Sequence, residues 1–329
     1  MKVLILNEKD LRTALKDSNP IDDVEQGFKK LTLNEAVLPG IISLEIPEKK
    51  GEFHIKGAYL QGSPFVVFKS ANSYYDNPVK GLPSSSGLFF AFDSDTGFIK
   101  ALMFDNSFLT HVRTGISGAI GTKYLSNKDL KQVLIAGCGT QGRFQWEYLK
   151  KVRSIKKLKL WDIDPKKAEE FQNEIKAKDK IDVSVVTSLK DTVPECDCIT
   201  TVTPSKKPFI SLEWISKGTH INAVGADNPD KQELDERIYG IADVIIVDRK
   251  AQCVKFGETH HAIENNIIKE EEIDGEIGDV IAGKVCGRTS VDQITICDLT
   301  GVGVQDAAIA AFAIKKATEK GLGTYADIS

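Results

Sequence analysis

The sequence has no long hydrophobic run and no long run of basic residues. No segment approaches the roughly 20 consecutive apolar residues that a membrane-spanning helix needs. The net charge of −4 gives no support to nucleic-acid binding. At the N-terminus the apolar stretch is only Val3–Leu6, which is typical of a first strand rather than of a signal peptide. We therefore expect a cytoplasmic protein that binds neither membranes nor nucleic acid.

Cysteine is scarce, with six residues in a chain of 329. Cys196 and Cys198 are close in sequence, but no second pair stands at the spacing of a zinc site. We therefore expect buried free thiols and no bound metal. The remaining composition, with 41% hydrophobic and 27% charged residues, is that of a globular protein, and the length favours two domains.

The first third of the chain shows short strand patterns separated by turns. Residues 52–60 begin with polar/apolar alternation, residues 64–70 form a second apolar run, and the Gly-Ser pair between them predicts a hairpin. A loop rich in turn residues follows at 71–86, and then come two more strand patterns, joined by a turn at 94–97. This pattern predicts a sheet of largely antiparallel strands.

From about Thr110 strands and helices alternate, which predicts βαβ units and a parallel sheet covered on both faces. We expect Arg113 just before the first of these helices, and His260 and His261 in a solvated polar loop. The predicted strands are 132–136, 158–161, 183–186, 198–202, 220–224, 244–247 and 293–298, and the predicted helices are 114–125, 141–151, 165–176 and 305–320.

The strongest motif is the glycine pattern G-x-G-x-x-G at Gly137, Gly139 and Gly142. It follows an apolar strand and opens a helix, which is the context that binding of a dinucleotide requires. Gly137 permits a tight turn, Gly139 lets the pyrophosphate approach the backbone, and Gly142 lets helix and strand pack closely. The helix N-terminus offers free N–H groups and a positive dipole to the phosphates.

A carboxylate for the adenosine ribose stands at Asp162, 20 residues after Gly142, at the end of the next strand. Asp164 directly precedes Pro165, and this pair predicts an N-cap and the first residue of a helix. A carboxylate at the ribose repels a 2′-phosphate, so the sequence favours NAD. Lys166 and Lys167 keep NADP as a less favoured alternative.

With this unit in place, the chain resembles the ornithine cyclodeaminase/μ-crystallin family nearly from end to end. No single short motif carries the resemblance, but their order and spacing together are specific. The matching segments are FKS with Lys69, DNPVKGLPS, LTHVRTGISGAIGTKYL, GCGTQG, VGADNPDKQELD, EIGDVIAGKVCGR and DLTGVGVQDAA.

The resemblance implies an α/β fold: a Rossmann-type parallel-sheet domain plus a smaller α/β substrate and dimerisation domain. We place the substrate and dimerisation domain at residues 1–119 and the Rossmann NAD-binding domain at 120–300. Residues 301–329 form a C-terminal helix that returns to the first domain. The family includes cyclodeaminases, alanine dehydrogenase, imino-acid reductases and a non-catalytic crystallin, and it implies a homodimer.

The resemblance also assigns roles to residues. Lys69 and Asp227 match catalytic positions, and Lys69, Arg113 and Thr300 match the substrate pocket. The competing interpretation of Asp227 is an N-cap of a helix that begins near Pro229. Besides Gly137, Gly139 and Gly142, the positions that match cofactor contacts are Ser84, Arg113, Thr140, Gln141, Asp162, Thr203, Val224, Gly225, Ala226 and Lys231.

One departure from the family concerns the grip on the substrate carboxylate. Many members carry an arginine upstream of the lysine, where this chain has Ser43 and Glu45. The bidentate clamp that an arginine supplies is missing, which puts ornithine in doubt as the substrate. The sequence thus predicts an NAD(H)-dependent oxidoreductase acting on a small amino or imino acid. The alternatives are a cyclodeaminase that releases ammonia and a non-catalytic nucleotide-binding or ligand-binding protein.

Overall fold

The computed structural model describes residues 2–328, apart from the side chain of Pro78. The chain divides into two compact units. The first unit comprises the residues up to Arg113 together with those from Val302 onward, and the second is Thr114–Gly301. None of the described helices combines the length and the apolar character needed to cross a membrane.

The strands and α-helices are numbered along the chain. The strands are β1 (Lys2–Asn7), β2 (Ala36–Val37), β3 (Ile42–Ile46), β4 (Gly51–Leu60), β5 (Phe65–Tyr74), β6 (Ser85–Asp93), β7 (Ile99–Phe104), β8 (Leu130–Ala136), β9 (Ile155–Trp161), β10 (Asp182–Val185), β11 (Cys198–Thr201), β12 (Lys206–Ile210), β13 (His220–Ala223), β14 (Gln232–Leu234), β15 (Val244–Val247), β16 (Gly275–Glu276), β17 (Thr295–Asp298) and β18 (Thr324–Asp327). The α-helices are α1 (Glu8–Leu15), α2 (Ile21–Thr32), α3 (Phe108–Leu125), α4 (Thr140–Val152), α5 (Pro165–Lys178), α6 (Leu189–Thr192), α7 (Lys250–Cys253), α8 (Gly257–Glu264), α9 (Ile277–Ile281) and α10 (Gly303–Glu319).

The first unit is built on one sheet with the strand order β18-β1-β7-β6-β5-β4-β2, and β3 pairs with β4. Only the pairing of β1 with β7 is parallel among its described strands, so the predicted antiparallel character is confirmed. The predicted hairpin of β4 and β5 is also confirmed. The prediction of strands and turns missed helices α1 and α2. These helices bury Leu11, Val24 and Phe28 in the core of the first unit.

Helix α10 packs on β4 and β5 and beside α2. Its first residue comes so close to the sheet that only glycine fits. A Cβ atom on Gly303 would lie 2.3 Å from the carbonyl oxygen of Gly57 in β4. Most of the helix is buried, including the polar residues Gln305 and Asp306 in its first turn. The close approach therefore carries two polar side chains into the interior of the unit.

The second unit contains a parallel sheet with the order β10-β9-β8-β11-β13-β17-β15-β16. Its described strand pairs are all parallel, as predicted for the Rossmann-type unit. The chain runs outward from β8 to β9 and then returns to β11 on the other side of β8. This reversal of strand order makes the crevice beyond β8 and β11 the expected ligand site of the fold.

Two local predictions are wrong. Helix α3 begins at Phe108, so Arg113 lies inside the helix and not before it. The reason is Asp105, whose carboxylate accepts a hydrogen bond from the backbone N–H of Leu109 and so caps the helix. The helix therefore begins six residues before the predicted start at Thr114.

His260 and His261 lie in helix α8 and are half-buried instead of lying in a polar loop.

Candidate functional site

The glycine turn between β8 and α4 has the conformation that a dinucleotide site needs. Gly137 has a φ of 114°, which a side chain would strain. A Cβ atom on Gly142 would lie 2.1 Å from the carbonyl oxygen of Gly137, so helix and turn touch there. By contrast, a Cβ atom on Gly139 would meet no described atom within 4 Å. The turn is therefore tightly packed on one side and open at its middle glycine.

The open glycine is also the residue that precedes helix α4. Gly139 stands at the N-cap position and contributes no side-chain hydrogen bond. The amides of the first turn of a helix have no partners within the helix, so an anion is favoured at that point. The guanidinium of Arg143 is paired with Glu174 and donates hydrogen bonds to the backbone carbonyls of Cys138 and Gly139, which stabilises the turn.

The carboxylate of Asp162 joins the end of β9 to this turn. It accepts hydrogen bonds from the backbone N–H of Cys138 at 2.7 Å and from that of Asp164 at 2.9 Å. Asp164 accepts from the N–H of Lys166 and caps α5, with Pro165 as the first residue of the helix. The capping role predicted for Asp164 is thus confirmed, and Asp162 is the carboxylate held against the glycine turn.

Two further loops at this edge of the sheet are tied together by Glu233. Its buried carboxylate accepts from the backbone N–H of Thr203 at 2.5 Å and from that of Gly225 at 2.9 Å. Burial raises the pKa of Glu233 to about 7 despite these hydrogen bonds. Glu258 in turn accepts from the N–H groups of Glu233 and Leu234. Buried carboxylates therefore fix the loops that contain the predicted cofactor positions Thr203, Val224, Gly225 and Ala226.

Asp227 lies at the end of one of these loops and is exposed. Its Oδ1 is 2.6 Å from Nζ of Lys231, whose backbone carbonyl lies 2.8 Å from Nε2 of His261. The predicted helix near Pro229 does not form; strand β14 follows instead. The alternative interpretation of Asp227 as a helix cap is therefore wrong, and the carboxylate is open to solvent beside one lysine.

The other predicted site residues belong to several different elements. Thr300 is buried and donates to Oδ1 of Asp248 at 3.0 Å. Ser84 is exposed just before β6 in the first unit, where its backbone carbonyl accepts from the N–H of Tyr74. Gln141 lies in the first turn of α4, and Thr140 is the first residue of that helix.

In the first unit the structure brings Lys69 and Arg113 to one carboxylate. Nζ of Lys69 lies 2.9 Å from Oδ1 of Asp306, and Nε of Arg113 lies 3.0 Å from the same oxygen. Nη1 of Arg113 also donates to Oε1 of Gln305 at 3.0 Å. The side chains of Lys69, Arg113 and Asp306 are 2%, 9% and 0% exposed, so the cluster is almost fully withdrawn from water.

Burial governs the protonation of this cluster. Burial, together with the nearby charge of Arg113, lowers the pKa of Lys69 to about 7, against the opposing effect of Asp306. Burial alone would raise the pKa of Asp306, but Lys69 and Arg113 lower it below its ordinary value, so it is ionised at neutral pH. An amine that changes charge near pH 7 is suited to binding an anion and to exchanging a proton.

The position of the missing arginine is filled by a polar pair. Ser43 in β3 lies opposite His54 in β4, and its Oγ is 3.0 Å from Nδ1 of the imidazole. Nε2 of His54 lies 3.5 Å from a carboxylate oxygen of Glu52. Next along β4, Lys56 pairs in register with Lys69 of β5. The cations that pair in register across β4 and β5 are therefore both lysines.

Sequence reasoning missed Asp306, Glu233 and Arg143. All three lie near predicted site residues in space but carry no motif that marks a ligand contact. The signal that was available for Asp306 is a carboxylate among the apolar residues of an otherwise buried helix, since a buried charge needs a partner. Glu233 gave no such signal, because the segment VGADNPDKQELD around it is polar.

The parallel sheet, the open glycine turn after β8 and the carboxylate after β9 are the features of a dinucleotide-binding α/β unit. A model of the ornithine cyclodeaminase/mu-crystallin family matches residues 1–321. A relative from Sinorhizobium fredii, named an uncharacterized cyclodeaminase, is 37% identical over 322 residues, or 97% of each chain. The chain therefore belongs to the ornithine cyclodeaminase/mu-crystallin family.

Two solved structures are similar over nearly their whole length. An archaeal alanine dehydrogenase dimer with bound NAD is 36% identical, with a TM-score of 0.92 and 100% of both chains covered. The Δ1-pyrroline-2-carboxylate reductase of Thermococcus litoralis, in complex with NADH and L-proline, is 31% identical, with a TM-score of 0.91. The match covers 98% of this chain and 99% of that one.

Proposed function

We propose that this protein is an NAD(H)-dependent oxidoreductase that acts on a small amino or imino acid. The observation that carries the proposal is the open glycine turn with Asp162 bound to it, in a family whose similar structures hold NAD or NADH. The residues fit the cofactor: the helix start at Gly139 suits the pyrophosphate, and the carboxylate of Asp162 suits the ribose hydroxyls. When bound, the cofactor accepts or donates a hydride.

The second unit supplies the other cofactor contacts in this proposal. Glu233 holds the backbone at Thr203 and Gly225 in fixed positions, so that these loops need no rearrangement when the dinucleotide binds. Lys231 and the loop Val224–Ala226 complete the set, while Ser84 and Arg113 are proposed contacts from the first unit. Since Arg113 already bonds Asp306 and Gln305, we assign it mainly to the substrate.

The substrate's carboxylate is proposed to bind Lys69 and Arg113. Lys69 can also donate a proton toward the substrate imine nitrogen and polarise its bond to carbon. Asp227 is open to solvent and has an ion-pair partner in Lys231, so it can exchange a proton between the substrate nitrogen and water. Thr300 stays a proposed substrate-binding residue on the family resemblance.

We also propose a homodimer assembled through the first unit, as the similar alanine dehydrogenase is a dimer. A cytoplasmic location stays a prediction from the sequence. The preference for NAD over NADP rests on Asp162, because its charge opposes a 2′-phosphate.

A cyclodeaminase is the second candidate, and the relative from Sinorhizobium fredii favours it. Such a reaction would give no net change in NADH, because the hydride taken from the substrate would be returned to it. Ser43 and Glu45 stand where many members carry the carboxylate-binding arginine, which argues against ornithine as the substrate. A non-catalytic binding protein is disfavoured because Lys69, Arg113 and Asp227 are all present.

The test is a screen of NADH absorbance at 340 nm. NADH is offered with oxaloacetate, pyruvate or glyoxylate plus ammonia, and NAD+ with ornithine and other amino acids, the latter with ammonia release measured in parallel. We expect NADH consumption with at least one imino acid, and its loss in Lys69→Met. Ammonia release without net NADH change would favour the cyclodeaminase. No turnover with normal NADH binding would favour the binding protein.

A further inference from the structure

The carboxylate of Asp306 is placed by the fold where two cations need it. Gly303 lets helix α10 approach β4, and this approach carries Asp306 in the first turn of the helix to the Lys69 side chain of β5. Arg113 reaches the same oxygen from helix α3. Three different elements of the first unit thus converge on one atom, Oδ1 of Asp306.

Two cations of this cluster meet one carboxylate oxygen. Lys69 and Arg113 both bond Oδ1 of Asp306, and Lys56 is close enough to affect the pKa values of Lys69 and Asp306. The other oxygen of Asp306, Oδ2, is buried and accepts no hydrogen bond within the described part of the chain. Asp306 therefore determines where its two cations stand.

We propose that Asp306 is a positioning residue for the reaction: it holds the ammonium of Lys69 and the guanidinium of Arg113 side by side as one binding group for the substrate carboxylate. This inference rests on the proposed function. Asp306 acts through the two cations and does not itself touch the substrate.

The surroundings of Lys69 show why this carboxylate is needed. Arg113 of α3 and Lys56 of β4 both disfavour a charged Lys69, and Asp306 is the group that favours it. Asp105, before α3, also interacts with Lys69, and although burial raises the pKa of Asp105 to about 6, it is mostly ionised at pH 7 and favours a charged Lys69 as well. His111 is kept neutral at pH 7, because burial lowers its pKa to about 4. The centroid of the Phe89 ring lies 5.9 Å from Nζ of Lys69.

Removing the charge of Asp306 should therefore change the titration of Lys69 as well as substrate binding. Asp306→Asn keeps the size of the side chain and loses the negative charge, and Asp306→Glu keeps the charge. Asp197→Asn is the matched control, because Asp197 is a carboxylate of the other unit that accepts from the backbone N–H groups of Lys131 and Gln132.

The first measurement is the pH profile of kcat/KM with the best substrate of the screen. In the wild type, kcat/KM should decline as the pH rises and Lys69 loses its proton. In Asp306→Asn we expect the midpoint of this decline to lie at least about one pH unit lower, so that kcat/KM above pH 8 falls by about tenfold or more. KM should rise in Asp306→Asn. In Asp306→Glu, kcat/KM should decline at the same pH as in the wild type. Thermal unfolding and NADH binding establish that each variant is folded.

The second measurement does not depend on turnover. Lysine labelled with ¹³C at Cε is followed by NMR against pH, and the signal of Lys69 is identified by its loss in Lys69→Arg. We expect Lys69 to titrate at lower pH in Asp306→Asn than in the wild type or in Asp197→Asn. An unchanged Lys69 titration in folded Asp306→Asn, or a kcat/KM profile that coincides with that of Asp197→Asn, overturns the inference. Absence of any turnover by the wild type refutes the proposed function instead, while the titration still tests the role of Asp306.

Discussion

Asp162 accepts a hydrogen bond from the backbone N–H of Cys138, with 2.7 Å between the two atoms. The carboxylate that we assign to the adenosine ribose therefore also holds the middle of the glycine turn. Any variant at Asp162 changes two things, the negative charge at the ribose position and the support of the turn. A useful test must separate them.

For cofactor choice, we predict that the wild type binds NADH more tightly than NADPH. Asp162→Asn should narrow the ratio of the two dissociation constants by about tenfold, since it removes the charge that repels the 2′-phosphate. Asn keeps one oxygen that can accept from the N–H of Cys138 and loses only the acceptor of the Asp164 N–H, whereas Asp162→Ala removes both acceptors. Titration of cofactor fluorescence gives both constants. Asp164→Asn is the control, because Asn caps a helix as well as Asp does. Tighter NADPH binding by the wild type is incompatible with our assignment of Asp162.

The glycine turn gives the second prediction. Gly139→Val places a branched side chain in the open space at the helix start, where the pyrophosphate must approach. NADH binding should weaken by about a hundredfold, or about 2.8 kcal/mol. The melting temperature should change little, because nothing described lies within 4 Å of the new Cβ atom. Gly40→Val is the matched control, since Gly40 has equally open surroundings. Normal NADH binding by Gly139→Val means that the turn is only structural.

Asp227 gives the third prediction. Asp227→Asn keeps the shape of the side chain and cannot accept a proton, so kcat should fall on the order of 10²–10⁴-fold while NADH binding persists. Asp230→Asn is the control from the same segment, as Asp230 is exposed and also paired with a lysine, Lys206. Steady-state kinetics of both variants provide the measurement. If kcat of Asp227→Asn is close to that of the wild type, another residue must exchange the proton.

The buried carboxylates predict how stability depends on pH. Burial raises the pKa of Glu233 and that of Asp298 to about 7 in the folded protein, above their ordinary values. The folded state therefore binds more protons than the unfolded state between about pH 4 and pH 7. Their contribution to stability is full below that range and is lost as pH rises through 7. Melting temperatures from pH 5 to pH 8 should thus decline less steeply in Glu233→Gln than in the wild type. Equal slopes of melting temperature against pH in the wild type and in Glu233→Gln would show that Glu233 stays ionised in the folded protein from pH 5 to pH 8.

Much of the second unit could be predicted from sequence, because its signals are local. The apolar run before Gly137 and the capping pair Asp164-Pro165 fix a strand, a turn and a helix from neighbouring residues alone. The same holds for the hairpin of β4 and β5, where alternation and a Gly-Ser turn coincide. Helix α3 could be predicted only in part. Its small residues from Thr114 onward indicated a helix, but its start at Phe108 depends on the capping carboxylate of Asp105.

The contacts between distant residues could not be predicted. Lys69 and Asp306 are 237 positions apart, and no period or spacing in the sequence links them. Their pairing depends on α10 returning to the first sheet and on the close approach at Gly303. The Glu233 contacts to Thr203 and Gly225 likewise depend on loops that meet only because β11 and β13 are neighbours in the sheet. The family resemblance predicts which residues form the site, and the structure shows that carboxylates contact Lys69, Arg113 and the backbone of Thr203.

The most direct test of the central claim follows the hydride itself. NADH labelled with deuterium at the transferable C4 position is incubated with the enzyme, ammonia and the 2-oxo acid that gives turnover, and the amino acid product is analysed by mass spectrometry. We predict one deuterium at Cα of the product, and far less of this product with Asp227→Asn at early times, because that variant should turn over more slowly. A product without deuterium, or an unlabelled amino acid that appears without NADH oxidation, would contradict the assignment of this chain as an NAD(H)-dependent amino-acid or imino-acid oxidoreductase.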